Sequence, residues 1–299
     1  MMVLKNIYNE KWLSKNTSSL SGKTVALTGS TGGLGGALCR YLGYLGASLI
    51  LIDRNQKRST EVKNALVSEF PEISVKCINA DLEDISSVRS ACKALLNEPI
   101  DVFIHNAGAY SIPRKICTTG YDNVFQINFV SPYYIIKELL PLLEKRHGRI
   151  VVVGSIAHNY SKTDAESIDF ADRTKASKVY GNAKRYLMYS MYGAVKDKPS
   201  VSVSVTHPGI SFTGITAHYP KLIFALIKHP MKIIFMKPRK AALSILKGVF
   251  EPCGNCEWIG PRIFDVWGLP VKRKLSTASG KEIEFIQNTA EKIYNELKN

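Results

Sequence analysis

Acidic side chains are in short supply in this chain: 25 Asp and Glu stand against 40 Lys and Arg, a net charge of +15 over 299 residues. Between Lys198 and Phe250 there is no Asp or Glu at all, against seven lysines and one arginine. Such a surface attracts anions, whether a nucleic acid, a phosphorylated cofactor or an acidic membrane face. No helix-turn-helix, zinc-finger or single-strand-binding signature accompanies the charge, so no nucleic acid is expected as a partner. No run of about 20 apolar residues occurs, which argues against a membrane-spanning helix. Residues 1–21 carry Lys5, Glu10, Lys11 and Lys15 and lack the continuous apolar stretch of a secretory signal. Cysteine is sparse and scattered, with six residues. The lone Cys253-x-x-Cys256 has neither a second pair nor a spaced histidine pair, so it reads as a surface turn and no metal is expected. These absences together predict a reduced, cytoplasmic setting.

What is present is a regular alternation. β-branched and aliphatic runs at 24–28, 48–53, 74–78, 102–105, 149–154 and 201–206 are separated by amphipathic helical patterns at 33–45, 57–69, 84–96, 120–145 and 177–196. Near-continuous apolar strands are what a parallel sheet covered on both faces requires. The alternation therefore predicts an α/β fold with a doubly wound parallel sheet in one domain. Residues 22–260 would form that domain, preceded by an extension at 1–21 and followed by a C-terminal segment, 261–299, that ends in a helix near 280–298.

Three motifs carry chemistry. Strand 24–28 runs into Gly29-Ser30-Thr31-Gly32-Gly33-Leu34-Gly35 and then into a helix. Glycines 29, 33 and 35 permit a tight turn and close backbone approach to a pyrophosphate, and the helix start offers free N–H groups to it. The second strand ends in Asp53-Arg54, with Asp53 18 residues past Gly35. A carboxylate there hydrogen-bonds an adenosine ribose and repels a 2′-phosphate, which favours NAD over NADP; Arg54 could instead clasp that phosphate, and Asp53 could simply cap the next helix. Third, Tyr180 and Lys184 lie four residues apart, one turn along a helix face. A cation beside a phenol lowers its pKa and makes it a usable proton donor and acceptor.

Gly29-x-x-x-Gly33-x-Gly35, Asn106-Ala107-Gly108 after the fourth strand, Ser155 after the fifth, and Tyr180-x-x-x-Lys184 occur in that order. Together they resemble the short-chain dehydrogenase/reductase family over about residues 20–260. The resemblance implies a Rossmann-type sheet, a nicotinamide cofactor, and hydride transfer between an alcohol and a carbonyl. It makes Tyr180 the general acid/base, Lys184 the group that tunes Tyr180 and binds the nicotinamide ribose, and Ser155 the group that orients the reacting oxygen. Asn128 matches an asparagine that supports a proton-relay water. Asp81, with Leu82 beside it, matches the acid that contacts adenine, and Asn106 to Gly108 match the segment lining the cofactor. Pro208-Gly209, with Thr213, matches the turn at the nicotinamide carboxamide. The helices at 120–145 and 177–196 also match faces this family often uses to form a homodimer, with a monomer left open.

Ser155 and Tyr180 are 25 positions apart, more than the family's commonest spacing. The extra stretch, about 158–175, resembles the retinol-dehydrogenase-like branch, which acts on lipophilic alcohols and aldehydes. The apolar, lysine-bearing run at 221–240 would cover the pocket as part of a lid at about 211–240, lining it for an apolar substrate, or rest on an anionic membrane surface. Two other functions stay open: an epimerase or dehydratase of nucleotide sugars using the same Tyr–Lys pair, and a non-catalytic nucleotide sensor. Among the smaller signals, His158 reads as a rim or surface residue. His105 reads as a strand end near the cofactor and His207 as a site lining. Trp258, Trp267 and Phe264 read as late core or pocket wall.

Overall fold

Runs such as Val25-Ala26-Leu27 and Ile150-Val151-Val152 are apolar at every position, so each strand must bury both of its faces. The computed structural model, which describes residues 9–161, 163, 175–210 and 236–298, meets that requirement with helices on both sides of one sheet. Its first six strands are β1 (Thr24–Thr28), β2 (Ser48–Asp53), β3 (Val75–Asn79), β4 (Val102–His105), β5 (Arg149–Val153) and β6 (Ser202–Thr206). Each lies within a residue of its expected bounds.

Two more strands extend the sheet, β7 (Glu257–Ile263) and β8 (Trp267–Lys274). The order is β3-β2-β1-β4-β5-β6-β7-β8, parallel throughout except for the antiparallel β7–β8 pair. Residue 260, the expected end of the catalytic domain, falls inside β7. Both strands contain proline (Pro261 and Pro270), and β8 is the exposed edge, where missing N–H donors are tolerated. Chain order reverses between β1 and β4, and the crevice beyond the carboxyl ends of strands at such a point is where ligands bind in doubly wound sheets.

Helices α1 (Glu10–Asn16), α2 (Gly33–Tyr44), α3 (Gln56–Glu69) and α4 (Ile85–Leu95) precede a longer one. That helix, α5, begins with Asn123–Phe125, widens into a π-turn at Gln126–Val130 and continues through Ser131–Lys145. It starts three residues later than expected, because Gly120 takes a left-handed φ of 85° and Asp122 caps the first turn. After β5 come a 3₁₀ turn at Ile156–Tyr160, then α6 (Ala176–Ala194), α7 (Pro238–Phe250) and α8 (Gly280–Lys298). Strand residues sort by alternation. Val25, Leu27, Leu51, Ile104 and Val151 share a core with α2 and α7, while Ala26, Ile50, Phe103, Ile150 and Val152 share the other with α4, α5, α6 and α8.

Two expectations concerned surfaces. Of the run at 221–240 and the wider lid, residues 211–235 lie outside the described residues. Residues 238–240 belong to α7, which buries Ala241, Leu243 and Leu246 against the sheet. The outer sides of α5 and α6 carry α8: Tyr133 Oη and Lys137 bond to Glu291, Tyr294 Oη donates to Glu138, and Gln287 donates to the Tyr189 carbonyl.

Candidate active site

The glycine loop closes the first half of the site. Gly35 packs so tightly that a Cβ there would sit 2.0 Å from the Gly29 carbonyl oxygen. Gly32 precedes α2 without any side-chain cap, and no acidic residue occupies its first turn, so the helix start keeps free N–H groups and an uncompensated positive dipole end. Thr28 Oγ1 accepts from the Asn106 and Ala107 amides, both at 3.0 Å. With both lone pairs engaged, that hydroxyl donates to His105 Nδ1 at 3.1 Å, which leaves the proton of the ring on Nε2. His105 is fully buried, and burial, aided by nearby Lys184, pushes its pKa well below the usual range, so it stays neutral. It ends β4 beneath the loop, as expected.

Asp53 is 6% exposed. Its Oδ2 accepts from Ser30 Oγ at 2.5 Å and Ser59 Oγ at 3.1 Å, and its Oδ1 accepts more weakly from the Thr31 amide and hydroxyl at 3.3 Å. The cap of α3 is Asn55, whose Oδ1 accepts from the Arg58 amide, so capping is not the role of Asp53. Arg54 stays largely exposed, 3.8 Å from Glu83. Asp81 spends one carboxylate oxygen on the Glu83 amide.

The second half is assembled at the ends of β5 and β6 and on α6. Tyr180 is buried near the Ser155 hydroxyl, which acts on its phenol, and Tyr110 meets its ring edge-on at 5.1 Å. Lys184 Nζ donates to the Val153 carbonyl at 2.9 Å and lies 5.7 Å from the centre of the Tyr180 ring. The long spacing before Tyr180 therefore leaves Ser155 in place. Of the extra stretch, residues 162 and 164–174 lie outside the described residues.

One electrostatic expectation is corrected. Lys184 does not bring the Tyr180 phenol down; burial pushes it up to about 12, offset in part by the Ser155 hydrogen bond. Lys184 itself is brought down to about 7 by burial. Desolvation acts on both groups and favours the neutral form of each.

Asn128 stands in the π-turn of α5, a distortion common at functional sites. Its Nδ2 donates to the Ala109 and Val124 carbonyls at 2.6 and 2.8 Å, while its Oδ1 is buried without a partner among the described residues. A Cβ on Gly108 would lie 2.8 Å from that Oδ1 and 3.6 Å from Lys184 Nζ, so the orphaned oxygen and the ammonium flank one spot. An acceptor of that kind beside an ammonium suits a bound water.

A cavity of about 630 Å³ joins the two halves. Its lining includes Gly29, Thr31, Gly33, Leu34, Gly35, Asp53, Arg54, Asp81 and Leu82, then Asn106, Ala107, Gly108, Ser155, Tyr180, Lys184, Pro208 and Gly209. Ser30 and Asn128 stand behind this wall as supports, and Thr213 lies outside the described residues. The residues present fit a dinucleotide: a helix start with no side-chain cap, a turn with no room for a Cβ, and a buried Asn106 Oδ1 at the junction that has no partner among the described residues.

Sequence reasoning missed the wall beyond Tyr180. Tyr110, Ile112, Ile156, Ala157, Tyr160 and Ile210 give it an apolar character, and these residues come from loops with no motif to mark them. His158, expected at the rim, is completely buried, because its ring turns back onto the Ser155 carbonyl. His207 does line the cavity; it stacks on Trp258 at 5.4 Å, and burial pushes its pKa down to about 3. Trp258 is core, but Phe264 is 83% exposed on the β7–β8 hairpin, next to a partly exposed Trp267. Cys253 and Cys256 flank the expected turn, and no cluster of metal-ligating side chains occurs among the described residues.

Residues 23–220 match the family model described as short chain dehydrogenase. Over 264 residues the chain is 31% identical to retinol dehydrogenase 14 of Mus musculus, covering 82% of this chain and 78% of that one. Among solved structures, an uncharacterized protein from Mycobacterium paratuberculosis matches with a TM-score of 0.74 at 21% identity, over 93% of this chain and 95% of its own. A short-chain dehydrogenase from Sphingobium yanoikuyae in complex with NADPH matches with a TM-score of 0.57 at 20% identity, over 74% and 81% of the two chains. At these identities the structural likeness speaks for the fold. No helix among the described residues is long and apolar enough to cross a membrane.

Proposed function

The chain belongs to the short-chain dehydrogenase/reductase family, and from that premise we propose that it interconverts a lipophilic alcohol and its carbonyl, with a steroid, retinoid-like or long-chain compound as substrate. It is an NAD(P)-dependent dehydrogenase or reductase. The observation that carries the finer reading is the pairing of the Ser155 and Tyr180 hydroxyls, close enough that Ser155 acts on the Tyr180 phenol, in the cavity whose far end is the glycine loop.

A nicotinamide cofactor supplies or takes up the hydride when bound. The chain's own residues supply position and protons. Reduction builds negative charge on the carbonyl oxygen, and two hydroxyl donors directed at that oxygen stabilise it; removing one such donor costs roughly 10²–10³ in rate. Tyr180, held protonated by burial at neutral pH, gives its proton to the forming alkoxide, and Ser155 orients the oxygen. Lys184, together with a water that Asn128 Oδ1 could hold, would return a proton to Tyr180. The apolar wall from Tyr110 to Ile210 excludes water and selects an apolar substrate.

The buried Asp53 carboxylate, at the strand end where an adenosine ribose would lie, supports NAD over NADP. It is held by Ser30 and Ser59 and repels a third charge on the cofactor. Asp53→Ala is expected to shift the NADH:NADPH affinity ratio about tenfold towards NADPH, an effect of about 1.4 kcal/mol; an unchanged ratio contradicts the assignment. A homodimer on the outer sides of α5 and α6 has to displace α8, and sedimentation velocity decides between dimer and monomer.

The experiment is a fluorescence titration with NADH and NADPH, followed by a screen of decanal, retinal and ketosteroids with the tighter cofactor. Turnover of at least one supports the reading. Tight cofactor binding without turnover of any lipophilic carbonyl contradicts it and favours a nucleotide sensor.

A further inference from the structure

Ser155 owes its place to a residue outside the cavity wall. The strand pairing of β5 ends at Val153, so the Ser155 carbonyl receives no ladder bond. It accepts instead from His158, weakly from the amide at 3.2 Å and strongly from ring Nδ1 at 2.6 Å. A carbonyl can only accept, so Nδ1 carries the ring proton and Nε2 is bare; it has no partner among the described residues. The imidazole is completely buried, with Trp258 edge-on at 5.4 Å. On the main-chain side, Arg185, the neighbour of Lys184 on α6, donates from Nη1 to the His158 carbonyl at 3.2 Å. The same guanidinium bonds through Nε to Glu282 at 2.8 Å and through Nη2 to the Thr277 carbonyl. A continuous chain thus runs from the start of α8 through Arg185 and His158 to Ser155. Burial, together with the nearby Arg185 charge, holds the His158 pKa below its ordinary value, so the ring stays neutral.

On the reading of Ser155 given above, we propose that His158 is a positioning residue: its Nδ1–H bond fixes the Ser155 main chain so that Oγ meets the Tyr180 hydroxyl. Ser155 Oγ has one further tie, an acceptance from the Ala157 amide at 3.2 Å that caps the 3₁₀ turn, at the long end of the ordinary range.

Two measurements test this. The first needs no substrate and no variant: a long-range ¹H–¹⁵N spectrum of isotope-labelled wild-type protein, with the His158 ring assigned through its own main-chain resonances. The His158 ring is expected as the Nδ1–H form and to titrate below the ordinary histidine range. The charged and titratable groups facing it are Arg185 and His207. An Nε2–H form, or titration near 6.5, overturns the proposal. The second compares His158→Leu, His158→Asn and Ser155→Ala in the reduction of decanal. Asparagine places an N–H donor the same number of bonds from the main chain as Nδ1, whereas leucine has none. His158→Leu is expected to lower kcat about 30- to 100-fold with the NADH Kd within twofold, and His158→Asn to recover to within about fivefold of wild type. Equal losses for Asn and Leu overturn the positioning role, because packing alone would then explain both. Ser155→Ala at wild-type rate instead overturns the function proposed for Ser155. If both His158 variants fail to fold or decanal is not turned over, the tautomer spectrum decides.

Discussion

At the loop end of the cavity, the groups that hold one another lie close to strand ends and motif glycines: Thr28 with Asn106 and His105, Ser30 and Ser59 with Asp53, Gly35 against Gly29. At the hydroxyl end, the holding groups are scattered. Ser155 leans on His158, His158 on Trp258 about a hundred positions later, and Arg185 reaches Thr277 and Glu282. The contrast teaches that the nucleotide half is built from strand ends and glycines within the first 110 residues, while the chemical half depends on the last third of the chain.

The division is sharpest at two glycines, which also give the largest expected effects. A Cβ on Gly35 would meet the Gly29 carbonyl, part of the turn's own backbone, at 2.0 Å. Gly35→Ala is therefore expected to weaken NADH binding by more than about a hundredfold, over 2.7 kcal/mol. A Cβ on Gly181, beside Tyr180, would meet Ser161 Oγ at 2.0 Å and the Ala157 carbonyl at 2.8 Å. Ser161 can rotate away, but the 3₁₀ turn carrying Ser155 cannot stay where it is. Gly181→Ala should lower kcat about tenfold and leave the NADH Kd within threefold. Comparable damage to cofactor affinity by both would erase the boundary between the halves.

Next in size is the far end of the chain. Arg185 has a side chain 5% exposed, paired with a Glu282 that is 25% exposed. Removing one partner of a mostly buried pair strands the other charge. Glu282→Ala is expected to cost about 2 kcal/mol, allowing for the partial exposure of Glu282, and so to lower Tm by about 4–8 °C for a domain of this size. The NADH Kd should not move, and calorimetry beside a fluorescence titration checks both.

A pH effect joins the two ends. His105 and His207 are both kept neutral by burial, with His207 down at about 3. Unfolding returns each to about 6.5, so the unfolded chain binds more protons and stability is lost as pH falls below 6.5. The loss approaches about 1.4 kcal/mol per pH unit for each ring and continues towards pH 3 for His207. Chemical denaturation at pH 7.5, 6 and 5 should show the decline. A flat profile over that window contradicts the buried neutral state.

The loop end was legible because each feature has a local cause. An all-apolar strand leading into glycines and then a helix has few other solutions, and Asp53 stops its strand at a fixed distance from Gly35. The hydroxyl pair was legible only as Ser155 and Tyr180 themselves. His158 looked polar and peripheral, since nothing local says that its ring folds back on the Ser155 carbonyl and meets Trp258. The π-turn at Asn128 and strands β7 and β8 escaped for related reasons. A π-turn keeps a helical apolar pattern, Pro270 disguises the edge strand β8, and Pro261 disguises β7 at a position past its one residue pair with β6. The expected cation effect on Tyr180 failed because spacing reports proximity but not the burial that dominates both groups.

The most direct test replaces the Tyr180 hydroxyl alone. In Tyr180→Phe, NADH affinity by fluorescence should stay within about twofold of wild type, while turnover of the best lipophilic carbonyl falls at least about a thousandfold. Turnover within tenfold of wild type, with affinity unchanged, would contradict proton transfer by Tyr180.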